Sequence, residues 1–498
     1  MIWQGKHDRL YVGGEWINPS STEVIDVISP FTEEKLTSVV SASRADADAA
    51  VAAARMAFDE GPWPRMSLLE RREILQRLSA ALSDDEELIA QLVTEEMGSP
   101  ITLSRQMQAA GARAMLDISI ELVDSYPFEE LRHSPSGYGM VVREPLGVVA
   151  AVAPWNGPLL IAMLKLAPAL LSGNTAIFKP APETPVDGYF LAELFERIGL
   201  PKGVLNLLPA DREVSEYLCL QPGVDKVSFT GSTAAGERLG MLCGADIRRV
   251  SLELGGKSAA IIMEDADIPK AVESLRTASL RNSGQICSNK TRVIVAESRK
   301  SEFLDAFSSM VAGMPVGDPK DPATQIGPMV SERQRTRVES YIAKGKNEGA
   351  KLVMGGGRPS SLSRGWFVEP TIFSDVDPMA TIAQEEIFGP VIAVIPFENE
   401  QQAIEIANST KYGLHGAIFS ADDERAFRIA RQVRSGATDI NGVGPGYYCP
   451  IGGFKKSGIG REAGMEGFDA FVEAKSIGIP ANLVAKIAAP VRDFGTVG

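Results

Sequence analysis

The chain has 498 residues, of which 44% are hydrophobic and 23% charged, the composition of a globular enzyme long enough for two or three cores. Its formal charge of -14 and pI near 5.0 exclude the basic face that nucleic acid or an anionic membrane surface requires. Four cysteines without a C-x-x-C pair, and three histidines without neighbours at ligand spacing, exclude a disulfide framework and a zinc-type metal site. The cysteine usage fits a reducing, cytoplasmic setting.

The opening "MIWQGKHDRLYVGGEW" lacks the apolar run of a secretory signal. Residues 44–125 are predicted helical. "RADADAAVAAARMAFDE" is alanine-rich with Asp46 and Asp48 near its start, and "LLERREILQRLSAALSDDEELIAQLVTEEMG" spaces its apolar residues by three and four up to Gly98. The segment "YGMVVREPLG" reads as an extended piece.

From residue 147 short apolar strands alternate with helices: "GVVAAVA", "TAIFK", "VLNLLP", "KVSFT" and "RVSLE". Continuous apolar runs of this kind predict a parallel sheet covered on both faces, a doubly wound α/β domain. The hydrophobic stretch 146–178 is interrupted by Pro154, Asn156, Pro158, Lys165 and Pro168 and is not a membrane span. A second series, "AAIIM", "TRVIVAE", a helix over 300–313, "VIAVIPF", "GAIFS" and "ATDIN", predicts a second α/β domain beginning near Gly255-Gly256. The tail "AKSIGIPANLVAKIAAPV" is again extended.

Several glycine-rich stretches invite a phosphate reading. "ELGGKS" fails as a P-loop, because its first required glycine falls at Ser251, and "GIGREAG" is a poor dinucleotide fingerprint. "FTGSTAAG" is stronger: Gly231 and Ser232 end a strand and open a helix, a geometry that offers free N–H groups to an anion or, equally, an ordinary N-cap. "FKPAPETP" also ends a strand, and Lys179 there could meet a ribose or phosphate, or solvent. Cys287, in "NSGQICSNKTR", sits among small polar residues. That suits a nucleophile, although most free cysteines are small buried hydrophobes.

"PWNGP", "KPAPETP", "FTGST", "LELGGKS", "GQICSNKTR", "EEIFGPV", "YGLHG" and "GGFKKSGIGRE" occur in the order and near-spacing of the aldehyde dehydrogenases, and the chain resembles that superfamily from "GGEW" to "VEAKS". The resemblance implies a cofactor domain over 1–127 and 147–254, a catalytic domain over 255–440, and a small β oligomerisation element from 128–146 and 470–490. It implies Cys287 as nucleophile, with Asn156 and the Cys287 N–H as donors to the oxyanion. It also implies Glu253 as the base that activates water, and Lys165 with Glu473 as a proton-relay pair. Cofactor contacts are implied at Trp155, Lys179, Phe229, Gly231, Ser232, Leu254, Gly255, Glu386 and Phe388.

Two departures bear on specificity. The family's K-P-x-E places Pro182 where a glutamate would accept from the adenosine ribose, with Glu183 displaced by one. NAD is the expected cofactor, and NADP stays open because proline does not repel a 2′-phosphate. Gly157 replaces the common aromatic after the asparagine, and Ile451 stands in "PIGG". Together with Ile161, Leu164, Ile286 and Ser288, these predict an aliphatic tunnel for a hydrophobic aldehyde, aliphatic or terpenoid-like. A CoA-acylating enzyme and a catalytically silent homologue are the alternatives. By resemblance the chain forms homodimers or homotetramers.

Overall fold

Five strands form the parallel centre of the first sheet, in the order Arg249–Glu253, Lys226–Thr230, Val148–Val152, Thr175–Lys179 and Leu205–Leu207. The chain runs outward from Val148–Val152 to Leu205–Leu207, then returns and builds outward in the other direction. That reversal lies between Val148–Val152 and Lys226–Thr230, and such a reversal opens a crevice at the carboxyl ends of the strands. Three of the strands, Thr175–Lys179, Lys226–Thr230 and Arg249–Glu253, match the predicted runs residue for residue. The computed structural model describes residues 3–487 and 491–493. Residues 1, 2 and 488–490 of the predicted cofactor and oligomerisation segments lie outside the described residues.

Antiparallel edges close this sheet. Leu10–Val12 and Glu15–Ile17 cover one side, and Gly458–Ile459 pairs with Arg249–Glu253 on the other. The "GIGREAG" segment is thus an edge strand and the turn beyond it. These strands of two or three residues carry no hydrophobic run long enough to predict. A further hairpin joins Val24–Ile28 to Lys35–Val40.

The predicted helical stretch holds several helices. Arg44–Asp59 begins with a capping box between Ser43 and Asp46, so the acidic residue near its start accepts backbone N–H groups as well as meeting the helix dipole. The long run breaks at Asp85 into Leu68–Asp84 and Glu86–Met97, and Gly98 closes the second in left-handed conformation, φ 78°. Residues Ser104–Ala109 form a π-turn before helix Ala110–Leu122.

The chain leaves the first sheet at Glu253 and enters the second at Ala259. The second sheet runs Lys351–Met354, Thr371–Ser374, Val391–Phe397, Arg292–Ala296, Ala259–Ile262, His415–Phe419 and Ala437–Ile440, parallel except for its first strand. A separate sheet pairs Gly137–Pro145 with both Glu129–Ser134 and Val472–Ile479. The two extended pieces therefore meet within one chain. Among the described residues no helix is long and apolar enough to cross a membrane, and no group of three or more His, Cys, Asp or Glu could hold a metal ion.

Candidate active site

The first sheet delivers its polar residues at the ends of its strands. Pro154, Trp155 and Asn156 follow Val148–Val152, Gly231 and Ser232 follow Lys226–Thr230, and Glu253 ends its own strand. Ser232 caps helix Thr233–Ala245 by accepting from Ala235 N. Helix Pro158–Leu171 starts directly after Gly157 with proline at its first position, which fixes Asn156 at the base of a fully buried helix.

The second sheet contributes from the opposite ends of its strands. Cys287 lies on the loop entering Arg292–Ala296, and Glu386 and Phe388 on the loop entering Val391–Phe397. The cysteine loop is held by its own hydrogen bonds. Gln285 Nε2 donates to Asn282 O at 3.1 Å and Pro328 O at 3.3 Å, and its Oε1 accepts from Val330 N at 3.0 Å. Asn282, Ser283 and Gly284 are left-handed, with φ 52°, 56° and 80°. For the two non-glycine residues this costs energy that the surrounding bonds must offset. A Cβ on Gly284 would stand 2.1 Å from Gly389 O, so the cysteine loop and the Phe388 loop press together there. Beyond the cysteine, Lys290 Nζ donates to Asp439 Oδ2 at 2.7 Å and anchors the exit.

These loops meet across a cavity of about 530 Å³ lined by Trp155, Asn156, Gly231, Ser232, Leu254, Gly255, Cys287, Glu386 and Phe388. Asn156 Nδ2 spends one hydrogen on Gln285 O at 3.0 Å, which leaves the other for a ligand. Trp155 and Phe388 meet edge to face with centroids 5.3 Å apart. Glu386 Oε1 accepts from Gly256 N at 2.9 Å. A Cβ on Gly255 would lie 2.2 Å from Glu386 Oε2, so glycine is needed for that approach.

A neighbouring cavity of about 470 Å³ is lined by Lys179, Pro182, Glu183 and Phe229 together with Asp211 and Arg212. Glu183 accepts from Arg333 at 2.9 Å, and Arg333 lines both cavities. Helix Glu332–Asn347 was silent in the sequence, yet it shapes this region. Gln334 Nε2 donates to Phe388 O and Arg337 Nη2 to Glu386 O, both at 2.7 Å.

Burial governs the titrating groups. The Cys287 thiol is pushed up to about 12 by burial and by the carboxylates of Glu386 and Glu253, with its own and the Ser288 N–H pulling the other way. Glu253 is raised well above the usual carboxyl range by burial and by Glu462, against Lys165 and Arg461, and its Oε1 has no hydrogen-bond partner among the described residues. Burial raises Glu386 to about 7 and lowers Lys179 to about 8.

One expected pairing is corrected. Lys165, fully buried, donates to Glu462 Oε1 at 2.6 Å and to Ser228 Oγ at 3.3 Å. Glu473 instead lies on the exposed strand Val472–Ile479 and accepts from Arg249 Nε at 2.8 Å. A carboxylate on an outward-facing strand position cannot reach the buried helix face. Glu462 can, because its backbone pairs both ways with Ile451 and turns its side chain inward.

The apolar candidates divide into two sets. Ile161, Leu164 and Ile451 share one cluster with Met107 and Tyr447, which sequence reasoning missed. Gly157 opens onto it, since a Cβ there would meet Ile161 Cδ1 at 3.1 Å and Met107 Cε at 3.6 Å. Ile286, buried, and Ser288, half-buried, flank the cysteine outside that cluster.

Residues 16–477 match the model of the aldehyde dehydrogenase family. The chain is 43% identical over 472 residues to geranial dehydrogenase of Castellaniella defragrans, covering 95% of this chain and 98% of that one. It superposes on the Mycobacterium tuberculosis aldehyde dehydrogenase complexed with NAD+ at TM-score 0.94 and 45% identity, with 95% and 98% covered. It also superposes on a mutant of aldehyde dehydrogenase C from Pseudomonas syringae complexed with NAD+ and octanal, at TM-score 0.92 and 38% identity over the same shares. With that match, the sheets and the cysteine cavity all pointing one way, this chain belongs to the aldehyde dehydrogenase family and is an NAD(P)-dependent oxidoreductase.

Proposed function

We propose that the protein oxidises a hydrophobic aldehyde, aliphatic or terpenoid-like, to the carboxylic acid with NAD. The observation that carries this reading is the convergence of Cys287, Asn156 and Gly255 on one cavity, with the apolar cluster around Gly157 and Ile161 beside it. The relatives that act on geranial or hold octanal have aldehydes of this class.

Cys287 gives up its thiol proton to water, Sγ bonds the aldehyde carbon, and the C=O π bond breaks so that the carbonyl oxygen becomes an oxyanion. The free Asn156 amide hydrogen and the Cys287 N–H face the developing charge, a role in which one donor contributes about 3–4 kcal/mol. The cavities fit the dinucleotide. Gly231 and Gly255 leave space that a Cβ would close against Phe229 and Glu386, Ser232 opens a helix, and Lys179 stands buried at a strand end. Lys179, Ser232, Glu386 and Phe388 would hold NAD there, and it would supply a hydride acceptor and a positive ring charge. Once the oxyanion re-forms C=O and the carbon's C–H bond has given up its hydride, the acyl group left on Cys287 is a thioester. Glu253 takes a proton from water, the water oxygen bonds the acyl carbon, and the C–S bond breaks to return the sulfur. Burial and the nearby Glu462 carboxylate raise Glu253 well above the usual carboxyl range, so its ionisation limits this step on the acid side. The Lys165–Glu462 pair stands beside it to move that proton.

The Glu183–Arg333 pair keeps the displaced carboxylate engaged and Pro182 leaves no carboxylate in its place, which supports tolerance of NADP beside NAD. Strands Gly137–Pro145 and Val472–Ile479 are the proposed subunit contact of a homodimer or homotetramer, and a cytoplasmic location suits four free thiols. The test is NADH formation by purified protein with geranial, octanal, benzaldehyde, betaine aldehyde and succinic semialdehyde, each with NAD and with NADP. Geranial and octanal are expected to lead in kcat/KM, and a clear preference for succinic semialdehyde would sink the substrate assignment. Acyl-CoA formation on adding CoA would replace hydrolysis by thiol transfer.

A further inference from the structure

Below Glu253, one face of the first sheet carries a polar column that the reaction above leaves unused. Strand alternation puts Glu253, Ser251 and Arg249 on one face, and parallel register sets Thr230, Ser228 and Lys226 beside them. Helix Pro158–Leu171 covers that face and brings Lys165 onto Ser228 and Glu462. One register step lower, Lys226 is only 3% exposed and donates to Ser251 Oγ at 2.6 Å. The Phe471 ring centroid lies 6.0 Å from its ammonium nitrogen. Among the described residues Lys226 meets no carboxylate within ion-pair distance. At the outer end, its register partner Arg249 is exposed and bonded to exposed Glu473.

A buried lysine without a counter-charge is costly and tends to give up its proton. Glu253 protonated with Lys226 neutral, and both groups charged, are states of equal net charge. A proton can therefore pass between them without changing the charge of the buried layer. Burial, with Lys165 adding to it, pulls Lys226 down to about 7. The groups that face it are Lys165 on the covering helix, Glu462 on the returning loop, Arg249 on the next strand and Cys243 on the helix behind the sheet.

We propose that Lys226, reached through the Ser228 and Ser251 hydroxyls, accepts the hydrolytic proton from Glu253 and releases it at the surface beside Arg249 and Glu473. The proposal rests on the hydrolytic role given to Glu253 above. The proton leaves the Glu253 carboxyl for the Glu462–Lys165 pair. Each serine hydroxyl takes one proton and gives up its own, and the neutral Lys226 amine becomes an ammonium before passing a proton to solvent. Only O–H and N–H bonds change.

The test follows NADH and released protons together by stopped flow, with octanal, NAD and a pH indicator, across pH 6 to 9 on the order of the amine's range. In Lys226→Met the first turnover of NADH is expected to stay within about twofold, while steady-state turnover falls about tenfold and proton release lags behind NADH. Lys226→Arg, which keeps the charge but cannot titrate, is expected to be no faster than the methionine variant. Restoration by arginine, or an equal loss of first turnover and steady state in Lys226→Met, would overturn the proposal in favour of a structural lysine. If the lysine variants fail to fold, Ser251→Ala decides: slowed steady state with an intact first turnover supports the outlet, and an unchanged pH profile overturns it. Wild-type protein that forms no NADH would overturn both this proposal and the oxidation reading.

Discussion

The two sheets serve one cavity from opposite ends. In the first, Asn156, Gly231 and Glu253 follow or finish their strands, at the carboxyl edge where open α/β sheets bind ligands. In the second, Cys287, Glu386 and Phe388 precede theirs. The carboxyl edge supplies helix N-termini and backbone donors as a by-product of the fold. Among the described residues the amino edge offers no helix N-terminus to the cavity, so its loops are fixed by side-chain bonds from Gln285, by left-handed residues 282–284 and by clamps from helix Glu332–Asn347. The same cavity therefore has one wall built into the sheet and one wall that is cross-braced.

Mutations can break that comparison at graded cost. Cys287→Ala on the braced wall is expected to lower kcat by about 10⁴-fold or more while NAD binding, read by fluorescence titration, persists. Glu253→Gln on the built-in wall should keep a first turnover of NADH and slow steady state by about 10²–10⁴-fold; loss of both phases together would mean that the residue supports the sheet, not the water. Asn156→Ala should cost about 10²–10³ in kcat with KM little changed, since the donor acts on charge that develops only during reaction. Gly284→Ala sharpens the contrast in stability. Its Cβ would meet Gly389 O at 2.1 Å, so urea unfolding should register a loss of about 1–3 kcal/mol. Placing alanine at Gly244, where nothing lies within 4 Å, should be near neutral.

The smallest effect is electrostatic. Glu96 is buried, accepts from Val186 and Asp187 N–H, and is raised to about 8 by burial, against those backbone bonds, with Asp187 raised beside it. A carboxyl raised on folding contributes stability below its unfolded value near 4.5 and loses it as pH rises through the folded value. Thermal midpoints should therefore decline from about pH 5 to pH 9, and Asp187→Asn should flatten that decline.

The residues of the site were legible unequally. Cys287, Glu253 and Asn156 stand in motifs whose order survives in the sequence; Cys287 and Asn156 line one cavity, and Glu253 precedes Leu254 and Gly255 on its wall. Lys165 was legible only as a relay residue implied by the resemblance, and its partner was not: Glu462 and Glu473 are both glutamates near the end of the chain, and only the antiparallel pairing of Ile451 with Glu462 turns one of them inward. Arg333, Gln334 and Arg337 left no signal, because a polar helix face reads as solvated until another loop is laid against it. Met107 was hidden for a related reason, since a π-turn shifts its helix face out of the regular period.

The sequence by itself determined the parallel centres of both sheets. Short runs with apolar residues at their centres, set between helical stretches, mark "TAIFK", "KVSFT" and "RVSLE" as strands even though polar residues stand at their ends. Tertiary structure alone decided the edge strands, the brace behind Cys287, and which buried charges face one another. Those depend on contacts between residues far apart in sequence, such as Lys165 with Glu462, Asn156 with Gln285 and Gln334 with Phe388, and no local period records which distant group will neutralise or bond a given side chain.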